Sequence, residues 1–259
     1  GCIYCDSRSC CYQITNFDEI KVKEAADIMI DQELSFKRKK GIIGLGGMND
    51  PYNRFEKDLE YTKNALKSIN KHQFGVHVIT KNTLVLRDIE LFKEINKHSV
   101  VNVGITITTA ADSLQKTIER NVSSSSERFA AIKQLSEAGL YTGILMMPIL
   151  PFINDTVENI ESIVFKAYQA GAKYIYPSFG VTLRDNQRQY FFKQIGPELT
   201  KRYVEAFGDA YACTSLNEKE LRNKFETMCL KYDIVYTMKD IMKLKKALNL
   251  NMVMIVKES

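Results

Sequence analysis

Cys2-Ile3-Tyr4-Cys5 is the sharpest chemical feature of this sequence. A C-x-x-C turn sets two thiols on one side of a tight loop, close enough to share a metal or an iron–sulfur cluster. Zinc, redox dithiol and iron–sulfur chemistry all use this spacing, so the pair alone does not choose among them. Cys10 and Cys11 follow closely. With Cys2 and Cys5 they spell C-x-x-C-x-x-x-x-C-C, a conceivable small zinc site, although adjacent cysteines rarely chelate one metal together. Cys213 sits in Tyr211-Ala212-Cys213-Thr214-Ser215, which reads as a loop before a helix, and Cys229 lies further on. His72, His77 and His98 share no ligand spacing. The run Gly44-Leu45-Gly46-Gly47 invites a dinucleotide-binding reading. It fails the G-x-G-x-x-G pattern because Asn49 stands where the third glycine belongs.

Composition bounds these readings without selecting one. The chain has 259 residues, 45% hydrophobic and 26% charged, ordinary values for a globular protein. Its net charge of +5 is mild, so an anionic substrate or nucleic acid is permitted but not demanded. The densest basic run, Lys37-Arg38-Lys39-Lys40, reads as a solvated helix end offsetting the carbonyl dipole. No apolar run approaches the roughly 20 residues of a membrane helix. No signal peptide is expected, because Gly1-Cys2 leads directly into polar, cysteine-rich sequence. A cytoplasmic, reducing compartment is expected, where six cysteines serve as ligands or free thiols rather than disulfides. The chain starts at Gly1 without Met, which reads as a fragment or a processed form.

The elements that must position these residues alternate regularly. Helices are expected over 19–39, with Ile20, Val22, Ala25, Ile28 and Met29 as its apolar residues, from Pro51 to Ile69, over 88–96, from Glu127 to Gly139, and from an Asp155 cap to Gly171. Strands are expected over 41–47, 76–80, 100–108, 141–150 and 173–181. Five βα units with short connections imply a parallel sheet with right-handed crossovers. The fold class expected is α/β: a partial (β/α)6 TIM-type barrel over 1–182, its first strand missing, and a helical extension over 183–259. In such a barrel, ligands sit at the carboxyl ends of the strands. Lys81 ends one strand. Thr106 and Thr108 face the interior on alternate positions, where they can also be simple filling. Arg128 lies in the first turn of a helix, unfavourable for a cation, so a partner such as Glu127 or a ligand carboxylate is expected. Tyr52, Tyr176 and Phe179 are pocket or packing residues.

Gly-Cys-Ile-Tyr-Cys-Asp-Ser-Arg resembles the end of the C-x-x-x-C-x-x-C cluster loop of radical S-adenosylmethionine (AdoMet) enzymes. Gly46-Gly47-Met48-Asn49-Asp50-Pro51-Tyr52, Val78-Ile79-Thr80-Lys81, Thr106-Ile107-Thr108-Thr109, Ser125-Ser126-Glu127-Arg128 and Met147-Pro148-Ile149-Leu150-Pro151 are similar to segments of its spore photoproduct lyase-like branch. The resemblance covers residues 1–185. It implies a 4Fe–4S cluster held by Cys2, Cys5 and a further cysteine upstream of Cys2, with AdoMet at the open iron. It also implies cofactor contacts at Gly46, Gly47, Asp50, Lys81, Thr106, Thr108 and Arg128, and an external electron donor such as flavodoxin or ferredoxin. Cys213 is a candidate hydrogen-atom donor. The implied activity is lyase-like radical chemistry on an unknown substrate. Two rivals remain open: a metal-independent lyase or aldolase with Lys81 as Schiff base, and a non-enzymatic zinc-stabilised binding module.

Overall fold

The structure is a computed structural model describing residues 1–19 and 21–243, with the backbone of 251–253. Ile20 and most of the Lys- and Leu-rich tail (244–250 and 254–259) lie outside the described residues. In chain order the elements are α1 (Ala26–Phe36), β1 (Gly41–Leu45), α2 (Glu56–Leu59), α3 (Tyr61–Lys71), β2 (Gly75–Thr80), α4 (Ile89–Asn96), β3 (Val101–Thr106), α5 (Asp112–Ile118), α6 (Ser125–Glu137) and β4 (Tyr141–Met146). Then follow α7 (Val157–Gln169), β5 (Tyr174–Pro177), β6 (Gly180–Thr182), α8 (Asp185–Phe207), β7 (Ala212–Thr214), α9 (Glu218–Lys231), α10 (Met238–Ile241) and β8 (Asn251–Val253).

One sheet runs β5-β4-β3-β2-β1-β8, every pair parallel. This is the parallel partial barrel expected from the βα alternation. Side chains alternate across it. Ile43, Val76, Val78, Val101, Val103, Ile105, Ile144 and Ile175 point one way and form one core with Leu66, Phe92, Ile132 and Ile163 of the helices. The opposite, concave face carries Gly44, His77, Asn102 and Tyr141 in one register row. Residues after 183 join the same core through Leu221, Phe225, Cys229 and Ile234.

Several boundaries differ from expectation, each for a local reason. The first helix starts at Ala26 because Ala25 adopts a left-handed conformation (φ 52°) with no side-chain cap. Val22 and Ile28 stay exposed, so no burial rewards a longer helix. The helix expected after Pro51 breaks at Glu60 (φ 50°). The Glu56 carboxylate accepts from Thr62 N (2.9 Å) and Lys63 N (3.2 Å), capping the second half. Thr156, not Asp155, caps α7 through Asn159 N; Asp155 instead accepts from Ser215 Oγ at 2.6 Å. The strand expected over 173–181 divides after Pro177, and Gly180–Thr182 turns away to pair antiparallel with β7. The helical extension carries α8, α9 and α10 together with the short strands β7 and β8, and β8 lies beside β1 at the sheet edge. Ser124 and Glu127 form a full capping box on α6, as the serine run suggests.

Tyr174 fills the base of the concave face. It stacks on Tyr141 with centroids 5.5 Å apart, and its hydroxyl donates to Asn102 Oδ1 at 2.9 Å. Gly143 makes this possible, because a Cβ there would sit 2.5 Å from the Tyr174 ring. Gly143→Ala is therefore expected to cost about 1–3 kcal/mol through overpacking, lowering the thermal midpoint by several degrees. An unchanged midpoint in a melting curve would contradict this packing.

Candidate active site at the carboxyl ends of the strands

The N-terminal loop reaches the strand ends through backbone first. Ile3 N donates to Ile118 O (3.0 Å), Cys2 bridges Glu119, and Cys5 N closes the turn on Cys2 O (3.4 Å). Ile3 and Tyr4 are buried, while Cys2 and Cys5 are half-buried with free thiols. Burial pushes the Cys2 thiol up, and the Lys81 ammonium opposes that shift. Beyond the turn, Asp6 accepts from Tyr12 Oη (2.6 Å) and pairs with Arg184 (2.9 Å). Ser7 Oγ donates to Met48 O (2.9 Å), joining this loop to the glycine turn after β1.

That turn is built around Gly46 and Asp50. Gly46 has φ 102°, and a Cβ there would lie 2.2 Å from Ile79 O, so only glycine fits. No atom lies within 4 Å of the corresponding point on Gly47. Asp50 Oδ1 accepts from Tyr52 N (2.9 Å) and Thr80 Oγ1 (2.6 Å), and Oδ2 accepts from Lys81 N (2.7 Å). The carboxylate thus staples the β1 and β2 loops together. Behind it, Tyr52 donates to Asp88 (3.0 Å), and Arg87 pairs with both Asp88 and Glu56. A cavity of about 610 Å³ opens here, lined in part by Gly44, Gly46, Gly47, Asp50, His77 and Ile79. His77 Nδ1 is buried without a partner, and burial lowers the His77 pKa.

Lys81 lies between these two loops. Its Nζ is 5.9 Å from the Tyr4 ring centroid. Burial works against its charge, but Cys2, Glu119 and Asp50 outweigh that cost, and its pKa rises. At the end of β3, one residue beyond the Thr80–Ile105 pair, stands Thr106. Thr106 O accepts from Arg128 Nη1 (2.9 Å). Thr108 Oγ1 donates to Glu119 Oε1 (3.3 Å), and its carbonyl accepts from Asn154 and Asn159.

Arg128 is fully buried. Nε donates to Ser123 O (2.8 Å), Nη1 also reaches Glu119 Oε2 (2.5 Å), and Nη2 has no protein partner. Its carboxylate partner is therefore Glu119 rather than Glu127, which is spent on the α6 capping box. Glu119 also accepts from the Tyr4 hydroxyl. Burial and this carboxylate hold the Tyr4 hydroxyl well above its usual pKa.

The structure therefore gathers Cys2, Cys5, Gly46, Gly47, Asp50, Lys81, Thr106, Thr108 and Arg128 around neighbouring strand ends. Cys213 belongs to a second apolar cluster, which also holds Ile3 and Tyr4 and has Cys2 packed against it. Cys213 itself is 1% exposed, packed with Val181, Leu183, Phe191 and Tyr203, its thiol pushed up by burial. Cys10 and Cys11 are exposed, and among the described residues no three Cys, His, Asp or Glu side chains converge as metal ligands. Tyr52 and Phe179 are core residues, and Tyr176 is half-buried.

Comparison with known proteins places this arrangement. The model of the radical SAM superfamily matches residues 1–164. The chain belongs to the radical SAM superfamily. It is 36% identical over 158 residues to an uncharacterized protein of Methanocaldococcus jannaschii, covering 60% of this chain and 58% of that one. It is 26% identical over 225 residues to an uncharacterized protein of Mycobacterium bovis, covering 84% and 65%. The chain thus spans about three fifths of the length of these curated relatives. Among solved structures, a spore photoproduct lyase mutant with bound AdoMet and dinucleoside spore photoproduct superposes with a TM-score of 0.65. It shares 14% identity, with 91% of this chain and 72% of that one covered. The same lyase complexed with dinucleoside spore photoproduct gives 0.65 at 14% identity, again with 91% and 72% covered. These likenesses show a shared fold.

The cofactors of the radical SAM superfamily are a 4Fe–4S cluster and AdoMet. The residues present supply two of the three thiols that such a cluster takes, and features suited to AdoMet. Two thiols lie in one turn beside a lysine, Gly47 leaves open space, and Arg128 keeps one buried donor free for an anion. Removing the Asp50 staple strands three donors at once. Asp50→Ala is expected to cost about 2–4 kcal/mol in urea denaturation, and a negligible shift in the midpoint would contradict the assignment.

Proposed function

We propose that this radical SAM enzyme holds a 4Fe–4S cluster through Cys2 and Cys5 and binds AdoMet across the carboxyl ends of β1, β2 and β3. The observation that supports this most is the convergence of Cys2, Lys81 and Glu119 beside the Gly46–Gly47 turn. A third thiolate is expected from a cysteine upstream of Cys2 in sequence. Bound there, the cluster and AdoMet would supply reductive radical chemistry, which the protein would orient and shield from water.

The chain's own residues supply binding, orientation and charge. Gly46 and Gly47 let the methionine amino end approach backbone. Lys81 and the free Nη2 of Arg128 are the cations for its carboxylate. Thr106 borders the same site from β3, while Thr108 and Asp50 act indirectly, because their side chains already bond to protein. Cys213 as hydrogen donor would need an opening to a thiol now sealed in apolar packing.

A Schiff-base lysine needs a lowered pKa, and Lys81 is held up instead. That disfavours the aldolase alternative. A zinc module needs converging ligands that Cys10 and Cys11 do not provide. Radical SAM enzymes need an electron donor, for which a flavodoxin or ferredoxin is the proposed source. Among the described residues no helix is long and apolar enough to cross a membrane, and a cytoplasmic setting is proposed. The substrate is left open. A fold neighbour is a spore photoproduct lyase with bound dinucleoside spore photoproduct, and function does not follow from fold alone.

Anaerobic reconstitution of the full-length protein with iron and sulfide tests the reading. A brown chromophore and a reduced-cluster resonance are expected, and Cys5→Ala should abolish both. Full iron content in Cys5→Ala would sink the assignment.

A further inference from the structure

We propose that Glu119 is a positioning residue for the cluster loop, acting through the Tyr4 hydroxyl between the two cysteines. The inference rests on reading Cys2 and Cys5 as cluster ligands.

Three segments distant in sequence meet at this carboxylate. Its backbone bridges Cys2, and the neighbouring Ile118 O accepts from Ile3 N. Oε1 accepts from Tyr4 Oη and Thr108 Oγ1, and Oε2 accepts from Arg128 Nη1. Arg128 in turn grips Thr106 O and Ser123 O. Gln115 Nε2 fixes the Glu119 carbonyl at 2.7 Å. One side chain thus ties the thiol turn to the end of β3 and to the entry of α6.

Stability alone does not account for this arrangement. Glu119 and Arg128 are both fully buried. Taking such a pair out of water costs so much that apolar residues of similar volume often serve as well or better. What an apolar pair cannot supply is direction. A carboxylate whose two oxygens are claimed by different partners has one orientation, and it presents one acceptor to the Tyr4 hydroxyl. A phenylalanine at position 4 would fill the same apolar space beside Ile118 and Leu150. Only the hydroxyl lets the ring report to Glu119. Tyr4 precedes Cys5 directly and lies two residues after Cys2, so fixing its ring at the tip sets the rotation of the turn. That rotation decides whether both sulfurs face the same side. Gln187 Nε2 adds a weaker hold at 3.5 Å on the Tyr4 carbonyl.

The test uses the full-length protein after anaerobic reconstitution, with cluster loss to excess chelator followed by visible absorbance. Tyr4→Phe and Glu119→Gln are expected to release iron about tenfold faster than the parent, the effect of losing an outer-shell partner of a metal ligand. The resonance of the reduced cluster should change in both. Ser215→Ala breaks a buried carboxylate bond elsewhere and should release iron at the parent rate. Where Glu119→Gln does not fold, Tyr4→Phe decides. Faster release at an unchanged apoprotein melting point supports the proposal, and parent-like release overturns it. A parent protein that takes up no iron would instead refute the cluster assignment itself.

Discussion

The Glu119–Arg128 pair lies wholly out of water, and a buried charge tolerates very little freedom. Each ion must keep its opposite and fill its remaining hydrogen-bonding positions, or the desolvation cost returns in full. Glu119 meets that demand with Tyr4, Thr108 and Arg128. Arg128 meets it with Ser123, Thr106 and Glu119, leaving only Nη2 unclaimed. The consequence is geometric. The thiol turn, the end of β3 and the start of α6 cannot move independently without exposing an unpaired ion to an apolar surrounding. A single buried donor, Nη2, then remains without a protein partner.

The sheet provides the platform for this arrangement by separating its two faces. Branched apolar side chains on the helix-facing side build the core, while the concave side carries His77, Asn102, Thr106 and Tyr174. Glycine does the spatial work on that side. Gly143 admits the Tyr174 ring at the base, and Gly46 lets the β1 loop pass against the Ile79 carbonyl. Asp50 then locks that loop to β2. A ligand lying across the strand ends meets backbone and cations on a surface that packing has already fixed.

Much of this was legible in the residue pattern. The five apolar runs, the serine run before Glu127 and the glycines after β1 each carry a local signal, and the sheet and α6 follow from them. Gly46, Lys81 and Arg128 were readable as strand-end or helix-start residues. Glu119 was not, because its meaning depends on Tyr4, 115 positions away, and it follows α5 with no distinguishing spacing. The partner of Arg128 was hidden for the same reason, since Glu127 lies adjacent in sequence but points into the capping box. The break between α2 and α3 depends on Glu56 reaching forward to Thr62, a contact no helical periodicity announces. Strands β6 and β7, three residues each, are too short for an alternating pattern to register.

The central claim is that these strand ends bind AdoMet beside a redox-active cluster. The most direct measurement is the product formed when reconstituted, full-length protein is reduced anaerobically with dithionite and given AdoMet. The account predicts 5′-deoxyadenosine and methionine in equal amounts, both absent without reductant. A protein that shows the reduced-cluster resonance yet forms no 5′-deoxyadenosine would contradict it.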